Sequence, residues 1–142
     1  MRRLAVAFAA ILLGAFMAAP ATRAADNVTQ LQKVDHVIGS GTMARDGDVV
    51  QVNYTGWLYD VNAKDHRGQE FDSSLDSGEP ISFTLGSGEV IAGWDQGIRG
   101  MHVGGRRTLV IPARLAYGGR GAGDAVPPDA TLVFDVELVG VH

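Results

Sequence analysis

Residues 81–101 read ISFTLGSGEVIAGWDQGIRGM, and the change of period inside them decides the fold. Ile81, Phe83 and Leu85 alternate with Ser82 and Thr84, the two-residue repeat of a strand with one buried face. Val90, Trp94, Ile98 and Met101 then recur at intervals of four, four and three, the spacing of one helical face. Ser87 stands where it would cap the start of that helix. Gly93 and Gly97 keep the helix short and marginal in isolation. A helix of this kind persists only by burying Trp94 and Ile98 against a sheet.

Outward from this stretch the two-residue repeat dominates. Val50, Val52 and Tyr54 alternate with Gln51 and Asn53. Leu132, Phe134, Val136 and Leu138 line one face of a last strand, with Asp135 and Glu137 opposite. Arg106–Ile111 is apolar on parts of both faces, which suits a more deeply buried strand. Residues Leu31–Ile38 form a weaker fifth candidate. Gly and Pro at Gly39–Gly41, Gly78–Pro80, Gly104–Gly105 and Gly118–Pro128 supply the turns, and the run Gly118–Gly123 reads as a flexible loop. There is no internal repeat and no linker. The expectation is one α+β domain, an antiparallel sheet of five to six strands with one short α-helix.

The two ends differ in kind. Residues 1–24, MRRLAVAFAAILLGAFMAAPATRA, carry Arg2 and Arg3, an apolar run from Leu4 to Ala19, and small residues at the end. This is the pattern of a secretory signal peptide. The run is short of the roughly 20 apolar residues that span a bilayer, so no stable membrane insertion is expected after cleavage, which the small residues place after Ala21 or Ala24. The expected location is exported, periplasmic or secreted, and residues 25–142 form the domain. The 142-residue chain has a formal net charge of -4. Loss of Arg2, Arg3 and Arg23 leaves nine basic against sixteen acidic residues, a net charge of -7. A nucleic-acid partner is not expected, because no basic run exceeds Arg106–Arg107 and phosphate binding needs a basic face.

Most catalytic chemistries lack their residues. With no Cys in the chain, disulfides, thiolate nucleophiles and Cys-ligated metals are excluded. Gly39-Ser40-Gly41 and Gly86-Ser87-Gly88 are too closely spaced for a nucleophile elbow. His36, His66, His102 and His142 have no metal-ligand spacing. Gly118–Gly123 lacks the phosphate-loop pattern, with Asp124 where a third Gly belongs. The acidic pairs Asp46 with Asp48 and Asp72 with Asp76 read as solvated surface. Neither a metal nor a cofactor is expected.

What stands out is a set of ordered motifs around a few aromatic residues. They are Asn53-Tyr54-Thr55-Gly56, Phe71-Asp72-Ser73-Ser74, Leu85-Gly86 with Glu89-Val90-Ile91-Ala92-Gly93-Trp94, Ile111-Pro112, Ala116-Tyr117-Gly118, Val126-Pro127-Pro128 and Ala130–Leu138. In this order they resemble the FKBP-type peptidyl-prolyl cis-trans isomerases, and the resemblance covers Val28 to His142. It implies an antiparallel sheet wrapped around the short helix, with a pocket between them. The implied catalytic groups are Asp72, Tyr117 and Ile91: the Tyr117 hydroxyl and the Ile91 N–H donate to substrate carbonyls, and Asp72 sits at the rim, held by Tyr54. The implied binding residues are Tyr54, Phe71, Ile81, Phe83, Val90, Trp94 and Phe134, with Trp94 as the floor under the proline ring.

The implied partners are proline-containing polypeptides and macrolide inhibitors, and the expected state is a monomer. The alternative is a non-catalytic chaperone or peptide-binding module using the same apolar pocket. Three positions depart from well-known members. Ser77 replaces a basic residue, Ile81 an aromatic, and Ala122 a position that is sometimes His. Residues Val61–Glu70 are an insertion relative to compact members, read as a polar loop beside Phe71. The sequons at Asn27 and Asn53 read as accidental, the second lying within a strand.

Overall fold

The computed structural model describes residues 28–142. The segment read as an export signal, with both cleavage positions, lies outside the described residues, as does Asn27. Six strands and one helix follow in order: β1 (Gln32–Val37), β2 (Val49–Tyr59), β3 (Arg67–Ser73), β4 (Ile81–Thr84), α1 (Ala92–Ile98), β5 (Arg106–Ile111) and β6 (Leu132–Val141). Short 3-10 turns occupy Lys64–His66, Ser74–Asp76, Ala113–Leu115 and Gly118–Arg120.

The strands form one antiparallel sheet in the order β1-β5-β6-β2-β3, with β4 also beside β2. The long β2 organises it. One edge of β2 pairs with β6 from Val50 to Leu58. Its other edge is shared, Val49–Val52 pairing with β4 and Thr55–Tyr59 with β3. The alternation seen in the sequence becomes the two faces of the sheet. Val50, Val52, Tyr54, Leu109, Ile111, Leu132, Phe134, Val136 and Leu138 are buried on one face. Gln51, Asn53, Thr55, Asp135 and Glu137 belong to the other.

The helix packs on the buried face through its glycines. A Cβ on Gly93 would lie 2.4 Å from Ile111 Cγ2, and one on Gly97 would lie 2.7 Å from both Leu109 methyls. These two residues, read in the sequence as weakening the helix, allow it to lie directly on β5. Trp94 and Ile98 are fully buried in the gap. At the far end Arg107 donates from Nη1 to the Gly97 carbonyl at 2.7 Å and from Nε to Asp35 at 2.7 Å. A cation is thus held at the helix C-terminus and tied to β1.

The structure corrects four details of the sequence reading. The helix has seven residues, and Val90 and Met101 are buried in the flanking loops rather than on it. Ser87 does not cap it. Gly86 and Gly88 have φ of +83° and +80°, so the chain turns there, and the Ser87 hydroxyl donates to the Thr84 carbonyl. The polar segment Val61–Glu70 is not all loop, because Lys64–His66 is a 3-10 turn and Arg67 begins β3. Edge pairing with Trp57 and Tyr59 makes this strand despite its polar residues. Finally, Gly118–Gly123 is a bonded turn rather than an open loop. Gly121 N–H donates to the Tyr117 carbonyl, Asp129 N–H to the Gly118 carbonyl, and Ala122 and Val126 exchange a pair of bonds.

Candidate active site

Five of the aromatic side chains meet at the helix. Trp94, which is fully buried, packs against Tyr54 with centroids 5.0 Å apart, Phe134 at 5.3 Å and Phe83 at 5.7 Å. Phe71 reaches the group through Phe134 at 5.5 Å, nearly perpendicular. The local sequence makes this possible. Gly56 lies opposite Phe134 on β6, and a Cβ there would stand 2.6 Å from Phe134 Cε1 and 2.8 Å from Phe71 Cζ. Any side chain at this position would push the two rings off the strand. Edge-to-face contacts of this kind contribute roughly 0.5–1.5 kcal/mol each beyond area burial.

The remaining candidate residues frame the rings. Val90 and Ile91 are buried in the same core cluster, and Ile81 and Tyr117 pack against it half-buried. Ile91 is the residue before the helix. Its carbonyl accepts from Trp94 N–H at 2.9 Å, while no backbone acceptor meets its own N–H among the described residues. Trp94 buries its Nε1–H without a hydrogen-bond acceptor. Its T-shaped neighbours Tyr54 and Phe134 surround the indole with π surface instead of oxygen. The surroundings of the indole are therefore aromatic and apolar.

The polar groups are more firmly held than the sequence suggested. The Tyr54 hydroxyl donates to Asp72 Oδ2 at 2.6 Å, and Ser73 N–H donates to Asp72 Oδ1 at 2.9 Å. Asp72 is only 3% exposed, so it is a buried, bonded carboxylate rather than an open rim group. The following turn is fixed by serines. Ser73 Oγ accepts from Leu75 N–H, and Ser74 Oγ accepts from Tyr54 N–H and donates to Asn53 Oδ1. These serines, and Gly56, were missed as site-building residues. The signal was present in the motifs, but a Ser or Gly reveals its partner only in three dimensions.

Tyr117 titrates far above the usual phenol range. Burial is the main cause, with the negative charge of Asp72 and then Tyr54 adding to it. Its hydroxyl consequently stays protonated, and hence a donor, at any working pH. Asp95, on the helix, closes the loop that precedes it by accepting from Gly86 N–H at 2.7 Å and Gly88 N–H at 3.1 Å. It fixes the segment that delivers Val90 and Ile91.

Comparison with known proteins matches residues 40–139 to the FKBP-type peptidyl-prolyl cis-trans isomerase family. The chain belongs to that family. Among curated relatives, an FK506-binding protein of Neisseria meningitidis is 50% identical over 104 residues, covering 73% of this chain and 89% of the relative. FK506-binding protein 2 of Yarrowia lipolytica is 56% identical over 98 residues, covering 69% of this chain and 63% of that protein. Among solved structures, AtFKBP13 superposes with a TM-score of 0.69 at 41% identity, covering 79% of this chain and 93% of the other. FkpA from Escherichia coli gives 0.67 at 44% identity, covering 78% of this chain and 47% of FkpA. The six-stranded antiparallel sheet with one short helix is the fold of these FKBP neighbours, and the family's activity, isomerisation of peptidyl-prolyl bonds, is the activity of this chain.

Proposed function

We propose that this isomerase acts on exported proteins as they fold, with the rings around Trp94 as its binding floor and Asp72, Tyr117 and Ile91 as its polar groups. The observation that carries the site assignment is the apolar indole floor with two donors beside it, a phenol that stays protonated and an Ile91 N–H that meets no backbone acceptor among the described residues.

Rotation about an amide meets a barrier of about 18–20 kcal/mol because C–N resonance must be broken. Around X-Pro both isomers are populated and interconvert in roughly tens to hundreds of seconds. No nucleophile is required to speed this. The planar amide is the more charge-separated state, so transfer into a pocket walled by Trp94, Phe71 and Phe134 raises it relative to the twisted state. Donors fixed toward the twisted geometry then stabilise the transition state selectively. An acceleration of about 10⁵ corresponds to about 7 kcal/mol. One hydrogen bond contributes about 1–3 kcal/mol, so desolvation and selection of the twisted conformer supply the larger part.

The export assignment rests on Arg2, Arg3, the Leu4–Ala19 run and the small residues up to Ala24. N-terminal sequencing of the protein recovered from outside the cytoplasm tests it, with a start at Thr22 or Ala25 expected. Activity on proline peptides is tested with a protease-coupled tetrapeptide assay. A rate no faster than buffer, from folded protein, overturns the site assignment. Suppression of client aggregation without any rate enhancement would favour the alternative of a peptide-binding module. Macrolide binding is proposed from the names of the FK506-binding relatives, and inhibition in the same assay tests it. Ser77, Ile81 and Ala122 are the positions at which affinity would diverge.

A further inference from the structure

The face of the sheet away from the helix carries a cleft of about 580 Å³, lined among others by His36, Asn53, Leu75, Arg106, Asp135 and Glu137. Most of its lining residues lie on that face, and Tyr54, Val136 and Arg107 complete it from the ring side, so it shares the β2–β6 wall with the candidate active site. Its walls are cross-bonded. Arg67 lies 5.0 Å from the centre of the Trp57 ring and donates to Asp135 at 2.6 Å. The Thr108 hydroxyl donates to the same Asp135 oxygen at 2.7 Å, and His36 Nε2 meets Thr108 Oγ1 at 2.7 Å. This chain of bonds joins β3, β6, β5 and β1, and it begins at the end of the polar insertion.

The bonding also shows which groups remain for a ligand. Thr108 gives its proton to Asp135, so His36 must donate to it through Nε2–H, which leaves Nδ1 as an acceptor in the neutral ring. Arg107 is engaged with Asp35 and the Gly97 carbonyl. Arg106 is exposed and stands opposite Glu137 in the β5–β6 register, and its guanidinium makes no ion pair or hydrogen bond among the described residues. Leu75, at 71% exposure the most exposed large apolar side chain described, is held out on the turn that follows Asp72. The cleft thus offers a guanidinium, two acceptors and one apolar contact. Asp65, Asp135 and Glu137 also line it, so multiply charged anions are disfavoured and Arg106 suits one isolated carboxylate. Extended polypeptide matches the set: an acidic side chain for Arg106, main-chain N–H groups for His36 and Glu137, and an apolar side chain for Leu75.

We propose that this cleft is a second binding site, an exosite that holds an acidic, apolar-flanked stretch of a polypeptide client whose proline occupies the pocket. The role as an exosite rests on the isomerase site assignment; the binding itself does not. The direct test titrates the protein with the blocked, proline-free peptide acetyl-Gly-Leu-Gly-Glu-Gly-amide, followed by amide chemical shifts. Saturable shifts at Leu75, Arg106, Thr108 and Glu137 are expected, absent with the Gln analogue of the peptide. Arg106→Glu should abolish them, whereas Glu137→Gln should tighten binding severalfold by removing the competing carboxylate. Equal shifts with the Gln analogue, shifts confined to the ring cluster, or indifference to both substitutions would overturn the proposal. The exosite role is read from kinetics. Arg106→Glu should raise KM three- to tenfold for a long acidic unfolded client and leave kcat/KM for a proline tetrapeptide unchanged. An equal change for both substrates, or none for the client, removes the exosite role. Failure of the active-site assignment appears separately, as absence of tetrapeptide activity in the unsubstituted protein.

Discussion

Gly93→Ala sets two physical effects against each other. In an exposed helix interior the change gains about 1 kcal/mol, because glycine leaves the unfolded chain more freedom to lose on folding than alanine does. Here the new methyl would stand 2.4, 2.7 and 2.9 Å from three carbons of Ile111. All three distances are below ordinary contact, and Ile111 is fully buried between helix and sheet, so neither partner can withdraw into solvent. Overpacking of this sort costs about 1–3 kcal/mol and sometimes more. With three simultaneous clashes the upper part of that range applies, leaving a net loss of about 1–2 kcal/mol after the propensity gain. For a domain of this size that is a fall in melting temperature of about 4–8 °C.

The assay is urea unfolding of the single variants and of Gly93→Ala with Ile111→Ala, which removes all three contacting carbons. Ile111→Ala alone should cost about 2–5 kcal/mol. In the double variant the new methyl fills part of the vacated space, so the two losses should fall short of additive by about 1 kcal/mol or more. A Gly93→Ala protein as stable as the parent, or strict additivity, would refute the account of the glycine as the residue that seats the helix.

Other substitutions test the polar groups. Tyr54→Phe removes one donor from a carboxylate that is 3% exposed, and a loss of about 1–3 kcal/mol is expected in urea unfolding, with isomerase activity reduced. Tyr117→Phe removes a neutral donor and should lower tetrapeptide kcat/KM roughly five- to tenfold; because the phenol is held far above its usual range, the parent enzyme's rate should show no Tyr117 titration between about pH 6 and 10. Arg107 donates to Asp35 and holds its carboxyl below the ordinary value. A depressed folded value means stabilisation that is complete above the unfolded carboxyl range and is lost as pH falls through the folded value. The melting-temperature difference between the parent and Asp35→Asn should therefore be largest near neutrality and shrink on acidification below about pH 4.

The parts of the fold that could be read in advance are those where one face of an element is buried. Val50, Val52 and Tyr54, or Leu132 through Leu138, had to alternate because a strand presents successive residues to opposite faces. The ordered motifs then located the rings and Asp72. What could not be read were elements held by partners far away in sequence. Strand β3 has no alternating pattern of its own; it exists because Trp57 and Tyr59 offer an edge, with Arg67 fixed by Asp135 sixty-eight residues later. The start of the helix was misplaced for a related reason. Ser87 looks like a cap, but Asp95 takes the loop N–H groups from within the helix, and spacing alone does not reveal a bond made backwards. Glycines gave the opposite error, since Gly93 and Gly97 carry a propensity cost in any table while their value lies in Ile111 and Leu109.

In this protein the candidate site and the core are largely the same residues, which governs how function is to be separated from stability. Trp94, Tyr54 and Phe134 are each at most 2% exposed and hold the sheet to the helix, so truncating any of them costs several kcal/mol of folding as well as the floor of the pocket. A lost activity there does not distinguish a catalytic contribution from a collapsed fold. The separable groups lie at the edge of the cluster. Tyr117 is half-buried, and its hydroxyl can be deleted with the ring left in place. The Ile91 N–H belongs to the backbone and survives any side-chain change except to proline. Asp72 is intermediate, because its carboxylate holds Tyr54 and the Ser73 N–H together. If the twisted amide is stabilised by fixed donors, Tyr117→Phe must lower kcat while the urea midpoint stays near that of the parent. If the apolar floor alone suffices, the same substitution leaves kcat unchanged, and catalysis must be assigned to desolvation by the rings.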